Sequence, residues 1–521
     1  MKTLENPHIW YQTEFTREEE SAGMTKEMKS MRDFDVFEEV DVDKVSPETL
    51  QSAISTKWVK VRKPDGSVRC RIVGRGYTQH IEDKDETFAS TPSLTTLRLL
   101  LTLAVAKGWH ISIGDISTAF LHALVDGDFY VIPPLEFYPE GRTLWKLKKA
   151  LYGLKHSPKL WQQHFASVMQ KNGFKRMKSD PNLYVHESKQ LYVLAYVDDL
   201  MFFGSKADVS TVISDLQKDL LLKVTGTLDE GDSAMFLGRN LKRTSTFISV
   251  GMSPSYIDAM LELYGLKQCR QALAPGSDAL RKNLDCEPLG PEDHKRYRRA
   301  VGQLLWLSSV RPDIMYAVKE LSRGLSAPTS EHEAKVKHLL KYLSGTKDFT
   351  QKLQPTLSLS PQHKAIDINI YVDSDWAGCH DTRRSTSGVS LFVLGANILS
   401  HSRAQATVAL SSGEAELYAI GSGTADALFV RSLVEESKLF QKANLCVFTD
   451  SNVGKSIASR FGASRKTKHV ELRYLYVQEL VTSGMVRIKK VLGTLNPADI
   501  LTKYIAKDTL HRHLPTFGFE V

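Results

Sequence analysis

Cysteine is scarce in this 521-residue chain. The five present (Cys70, Cys269, Cys286, Cys379 and Cys446) are scattered, odd in number and without a C-x-x-C pair. Neither a disulfide framework nor a zinc site is expected, and a reducing compartment is the default. Long apolar runs are also lacking. The longest, LRLLLTLAVA, is near half the roughly 20 residues that a membrane helix needs, and the polar start MKTLENPHIWYQTEFTREEE has no signal-peptide layout, so no membrane role is expected. No solenoid-period repeat or low-complexity tract is visible. The charge imbalance is small, 68 basic against 60 acidic residues for a formal +8. That excess suits a polyanionic partner through counterion release without demanding one. What remains, 42% hydrophobic and 25% charged residues, describes a folded globular chain, and its length suggests about three or four domains.

Punctuation along the chain divides it into an acidic, helix-like lead-in arm (1–56), a mixed segment (57–225), a middle that begins with strands and turns helical (226–355), and a final α/β part (366–521). The linker LQPTLSLSPQHK precedes that last part. In the second segment, two β-like runs flank P-D-G, a hairpin turn signal. The helix SLTTLRLLLTLAVAKG follows, with Ser93 as N-cap and Gly108 just past its end. The strand WHISIGDIS and the apolar strand pair LYVLAYVDDLMFFG come next. The last part reads as strands IDINIYVDSDW, GVSLFVLG, ATVAL and LCVFTD with intervening helices.

Two charges, Asp198 and Asp199, interrupt the apolar run LYVLAYVDDLMFFG. A buried ionised carboxylate is costly unless paired or metal-bound. Adjacent strand residues point to opposite faces, so the two serve one site only at or beside a hairpin turn, with Asp198 better placed for a metal and Asp199 secondary. A solvated surface turn is the plain alternative. Asp115 ends the apolar strand WHISIGD. Carboxylates converging from separate strand ends are what a two-metal phosphoryl-transfer site requires, because hard oxygen ligands hold Mg²⁺.

The runs KWVKVRKPDGSVRCRIVGRGYTQ, GDISTAFLHA, LYGLKHSPKLW and YVDD, in that order, resemble the reverse transcriptase of Ty1/copia-type LTR retrotransposons. The resemblance implies a right-hand polymerase of fingers, palm and thumb, with Asp115, Asp198 and Asp199 as the catalytic triad of the palm. It puts Phe120 at the place of an aromatic gate against the ribose 2′-hydroxyl; a core Phe on a helix face is the alternative. Lys60, Arg62, Arg71 and Arg75 resemble the fingers residues that grip triphosphate and template. His156 stands where the family usually has Gln, within G-L-K-x-S-P, a departure that bears on contact with the sugar of the incoming nucleotide.

The final part offers four more acids. Asp373 lies in the strand INIYVDSDW, Glu416 on a helix opened by Ser411-Ser412-Gly413-Glu414, Asp450 at the end of LCVFTD, and Asp499 at the third position of a helix capped by Asn496 with Pro497 first. Taken singly, such acids are more often partners of the helix dipole than ligands. As an ordered set, with YVDSDWAGCHDTRRSTSG, SSGEAELYA, TDS and KHVELRYLYV, they resemble the copia-type ribonuclease H-like α/β domain. There the acids bind two Mg²⁺ and hydrolyse RNA in an RNA–DNA hybrid. Asp375, two residues on along the same strand face, competes with Asp373, which the family motif favours. His469 is an accessory residue or part of an RKTKH patch contacting phosphate. Between the two sites, AVGQLLWLSSVRPDIMYAVKELSR and HLLKYLSGT resemble the family's thumb and connection.

The expected fold is therefore α+β and multidomain, a right-hand polymerase followed by a ribonuclease H-like domain. The expected function is RNA-directed DNA synthesis with degradation of the RNA strand. The expected cofactor is Mg²⁺, two ions per site, with Mn²⁺ as substitute. The partners implied are RNA template, DNA primer, RNA–DNA hybrid and dNTPs, in a cytoplasmic virus-like particle with nuclear passage. The chain is expected to be a fragment, truncated copy or processed product of a longer polyprotein. A catalytically inactive remnant that still binds nucleic acid is the rival reading, and His156 is the feature that favours it.

Overall fold

The structure is a computed structural model that describes residues 15–63, 65–79, 87–277, 286–360, 362–460, 462 and 472–520. These form two compact units, one drawn from 1–92, 112–177 and 181–226, the other from 93–111, 178–180 and 227–521. The chain thus passes between units within the segment that the sequence groups as 57–225. No helix among the described residues is long and apolar enough to cross a membrane.

In the first unit, the helix Arg17–Asp33 opens with a reciprocal capping box between Thr16 and Glu19. It lies against the strand Val68–Gly74. Gly23 permits the close approach, since a Cβ there would stand 2.8 Å from both Cys70 Sγ and the Val68 carbonyl. The 1–56 arm is more than a lead-in: Phe37–Asp41 pairs antiparallel with Thr143–Leu147 at the edge of a five-stranded sheet. Tyr130–Ile132, Ile54–Arg62 and Val68–Gly74 complete that sheet, the last two joined by a tight turn with Gly66 at φ 82°. A second, six-stranded sheet runs in the order Leu222–Thr227, His110–Ile116, Asp199–Gly204, Leu191–Tyr196, Leu183–His186, Lys175–Arg176. Trp161, Phe165, Val193 and Phe202 are among the buried residues of its core. The apolar runs flanking Asp198 and Asp199 are central strands of this sheet, buried on both faces, which is why they read as continuous rather than alternating.

In the second unit, the helix Leu94–Lys107 is buried nearly all round and packs on the strand Ala396–Ala404. As expected, the Ser93 hydroxyl accepts the Thr95 N–H at 3.2 Å, and Gly108 ends the helix at φ 65°. Arg311 and Asp313 form a fully buried, two-pronged ion pair (2.7 and 2.9 Å), and Tyr342 donates to the same carboxylate at 2.8 Å. The pair ties the helix Ser330–Ser344 to the turn after Pro291–Ser308. The last sheet has the order Ala396–Ala404, Thr386–Val393, Ala365–Ser374, Lys442–Thr449, Val486–Lys490. Its first three strands are antiparallel and its last three parallel, and the 25-residue helix Ser412–Glu436 covers it. ATVAL is not a strand: the third strand is Ala396–Ala404, turned back through Leu394 and Gly395, and ATVAL belongs to the loop after it.

Candidate active sites

At the first site, the strands Leu191–Tyr196 and Asp199–Gly204 form a hairpin whose register pairs Tyr196 with Asp199. Val197 and Asp198 make up its two-residue turn. Val197 sits at φ 54°, an outlier for a β-branched residue. The Trp161 indole N–H donates to its carbonyl at 2.8 Å and helps hold the turn. The neighbouring strand His110–Ile116 carries Asp115, and the Ile116 N–H donates to the Asp198 carbonyl at 2.8 Å. The chain positions flanking these two acids are therefore locked together. Asp115, Asp198 and Asp199 are all half-buried.

Around the turn, the Phe120 ring packs on the core, as the core reading expects, and meets Tyr152 edge-on at 4.9 Å. The Arg71 guanidinium stands 4.4 Å above Tyr152. Burial pushes the Tyr152 hydroxyl up to about 12, eased by the Arg71 charge and reinforced by Asp198. Strand alternation separates the four fingers cations. Arg71 opposes Val59, on one face, whereas Lys60 opposes Cys70, on the other. On that second face Lys60 pairs with Glu20 at 2.9 Å and Arg62 with both oxygens of Glu19 at 2.7 and 3.0 Å. The paired guanidinium, through its hydrogen bonds, holds Glu19 down to about 2. Arg69, which the sequence reading passed over, shares Arg71's face and feels the charge of Asp198; burial pulls its guanidinium below the usual range. Counting in twos from Arg71 would have found it. Arg75 is exposed beside the turn Gly76–Thr78. His156 precedes the helix Ser157–Lys171, and its Nδ1 accepts from Gln79 Nε2 at 3.2 Å. Gln79 also accepts the Lys155 N–H at 3.1 Å, so His156 helps anchor the end of the fingers segment.

At the second site, parallel pairing of Tyr371 with Phe448 brings Asp373 and Asp450, each two residues further on, to the same sheet edge. Glu416 arrives from the first turns of the helix Ser412–Glu436. Ser411 caps that helix by accepting the Glu414 N–H at 3.2 Å, while Glu414 reaches back to the Leu410 N–H at 3.1 Å. Asp373, Glu416 and Asp450 offer carboxylate oxygens within 4.8 Å of one another, the one such acidic or metal-ligating trio among the described residues. Asp499 lies in a 3₁₀ turn, Pro497–Leu501, capped by Asn496, whose side chain also donates to the Val372 carbonyl at 2.8 Å. The short turn keeps Asp499 against the cluster, where its charge bears on Asp373. Two further residues complete the site. Thr502 donates its hydroxyl to Asp373, and Lys503 stands 3.1 Å from Asp499 and 4.0 Å from Asp373. The i, i+4 spacing of Asp499 and Lys503 is their signal in the sequence. Asp375 is engaged elsewhere: it accepts the Thr386 N–H at 2.5 Å, and Lys319 donates to the hydroxyl of the same threonine at 2.7 Å. His469 lies outside the described residues.

The electrostatics of this cluster are adverse without a cation. Burial, reinforced by the Asp373 and Asp450 charges, pushes the Glu416 carboxyl up to about 9. Burial and like charges also raise Asp373, Asp450 and Asp499. Lys503 is raised despite its burial because Asp373 and Asp499 face it. Three closely spaced hard oxygen donors of one charge fit a divalent ion of the Mg²⁺ or Mn²⁺ kind.

Comparison with known proteins follows the same geography. Residues 40–277 match the reverse transcriptase (RNA-dependent DNA polymerase) family model. The chain is 30% identical over 505 residues to the retrovirus-related Pol polyprotein from transposon TNT 1-94 of Nicotiana tabacum, covering 93% of this chain and 37% of that one. It is 30% identical over 317 residues to a transposon Ty5-1 protein of Saccharomyces cerevisiae, covering 58% of this chain and 96% of that one. A foamy viral protease-reverse transcriptase in complex with double-stranded DNA is similar at a TM-score of 0.49 and 11% identity, over 94% of this chain and 72% of that one. The chain spans about a third of the length of the curated plant Pol polyproteins it matches. With the hairpin, its flanking strand and the ribbon of Ile54–Arg62 and Val68–Gly74 all inside the matched region, the chain belongs to the copia-type retrotransposon Pol family and carries its reverse transcriptase domain.

Proposed function

We propose that this chain copies RNA into DNA at Asp115, Asp198 and Asp199 and degrades the RNA of the resulting hybrid at Asp373, Glu416, Asp450 and Asp499. The observation that carries the second half is the convergence of three carboxylates, from two strand ends and a helix, within 4.8 Å. Burying like charges together destabilises a fold unless a cation offsets them. Divalent ions, when bound, polarise phosphoryl oxygens and lower the pKa of a nucleophilic water or hydroxyl. Asp115 and Asp198 would hold them at the first site; Asp373, Glu416, Asp450 and Asp499 would hold them at the second.

The chain's own groups do the rest. Arg71, over Tyr152, and Arg69, within reach of the Asp198 charge, share one fingers face and offset the charge of a dNTP triphosphate. Phe120 and Tyr152 bound the sugar side by volume. Thr502 orients Asp373, and Lys503 holds positive charge beside Asp499. RNA template, DNA primer, RNA–DNA hybrid and dNTPs are the partners of this reading, and a cytoplasmic particle with nuclear passage is its cellular setting.

The test is primer extension on an RNA template and cleavage of an RNA–DNA hybrid, each with Mg²⁺. Asp198→Asn should abolish the first and Glu416→Gln the second. Absence of both activities in the wild-type chain would instead favour an inactive, nucleic-acid-binding remnant.

A further inference from the structure

Exposed large apolar side chains are costly on a free surface and mark contact sites when clustered. In the second unit some, such as Met235, Leu273 and Leu305, lie elsewhere, but six fall on the segments that carry the acids. Trp376 follows Asp373 by three residues, Val408 and Leu410 precede Glu416, Val453 follows Asp450, and Leu492 and Leu495 precede Asp499. Contacts tie several of these to the site. The Trp376 indole N–H donates to the Ala409 carbonyl at 3.2 Å, between Val408 and Leu410. Leu410 binds Glu414 through its N–H. A Cβ on Gly493, next to Leu492, would stand 3.0 Å from Asp450 Oδ2.

Trp376 is the largest of the group. Its one polar atom is engaged, which fixes the ring, yet the residue is 58% exposed. Such an indole is spent on nothing inside the fold. The same loop is closed by Ala377 N–H to Ser385 Oγ at 3.0 Å and by Arg383 N–H to the Cys379 carbonyl at 2.8 Å. It also carries two exposed guanidiniums, Arg383 and Arg384. A fixed aromatic face on the same loop as exposed cations is a pattern that takes a nucleic-acid strand, the ring stacking on a base or sugar and the cations meeting phosphates.

We propose that the loop Asp375–Ser385 seats a nucleic-acid strand at the mouth of the carboxylate cluster, with Trp376 as its stacking platform and Arg383 and Arg384 as its phosphate contacts. Trp376 is a positioning residue that touches the strand beside the bond to be cut. The inference rests on the nuclease reading of this site. The rival occupant of the apolar rim is a second copy of the chain.

The test uses the full chain and an RNA–DNA hybrid carrying 2-aminopurine near the cut position. Binding is followed by fluorescence with Ca²⁺ in place of Mg²⁺, and cleavage kinetics are measured with Mg²⁺. Trp376→Ala should lose the stacking-dependent quench and raise the KM of hybrid cleavage by about 5- to 150-fold, with a much smaller change in kcat. Trp376→Phe should restore most of both. Trp376→Ala should leave the salt dependence of binding unchanged, whereas Arg383→Ala and Arg384→Ala should each reduce the slope of log K against log salt by about 1. Binding with a Trp376-dependent quench but no cleavage by the wild type would sustain this inference and overturn the nuclease reading. Cleavage with an unchanged KM and quench in Trp376→Ala would do the reverse. A change in sedimentation of Trp376→Ala with hybrid binding intact would overturn the inference in favour of self-association.

Discussion

The two carboxylate sites are held by different means. Asp115 and Asp198 are fixed through the backbone, by a strand pairing and a hairpin turn in which Val197 carries an unfavourable φ. Asp373, Glu416 and Asp450 are fixed by the packing of a helix on parallel strands, and the cost there is electrostatic, because three acids crowd into a buried space. One site stores its cost in conformation and the other in charge. A cation relieves the second kind directly, while the first persists whether or not anything is bound.

The largest effects should come from breaking each site alone. Asp198→Asn should lower primer extension by more than about 100-fold, beyond the roughly 10–100-fold range of outer-shell partners, and Glu416→Gln should do the same to hybrid cleavage. Each variant should retain the other reaction in paired assays, and loss of both reactions in either variant would merge the sites. Thr502→Val comes next: it deprives Asp373 of its hydroxyl donor and should weaken hybrid cleavage and Mg²⁺ affinity by about 10–100-fold, read by titrating the metal.

A pH series sharpens the comparison further. The Glu416 carboxyl is raised to about 9 from its ordinary 4.5. A group raised in the fold stabilises it below the unfolded value, and that contribution is lost as pH rises through the folded one. Metal-free protein should therefore lose thermal stability between pH 4.5 and 9. Added Mg²⁺, which binds the ionised acids, should raise Tm more at pH 9 than at pH 6. Glu416→Gln should flatten the metal-free curve, and parallel curves for the two proteins would contradict the charge account. The smallest effect belongs to the first site. Val197→Gly removes the unfavourable φ and should change stability by no more than about 1 kcal/mol in the favourable direction, while slowing primer extension as the turn loosens.

Much of both sites was legible in the sequence because local rules and tertiary structure agree there. The charged pair inside an apolar run sits at a hairpin turn, Asp198 in it and Asp199 beside it, as strand alternation requires if both acids serve one site. Ser93, Gly108 and Ser411 begin or end their helices as their chemistry predicts. Asp373 and Asp375 could not be separated by face alone. The family motif favours Asp373; what sets Asp375 apart in the fold is a loop that brings the Thr386 N–H to it, a contact between residues eleven positions apart. The resemblance groups Lys60 and Arg62 with Arg71, although they stand on opposite faces of the same two-stranded ribbon. The helix Arg17–Asp33, whose acids occupy that second face, is visible in the sequence only as a helix without an address.

The helix Leu94–Lys107 comes from the first quarter of the chain yet is buried against the strand Ala396–Ala404. Cutting the chain at the linker before residue 366 would strip the later part of an internal wall and leave one side of this apolar helix bare. Separating the two activities proposed here at that linker therefore uncovers apolar surface on both sides of the break.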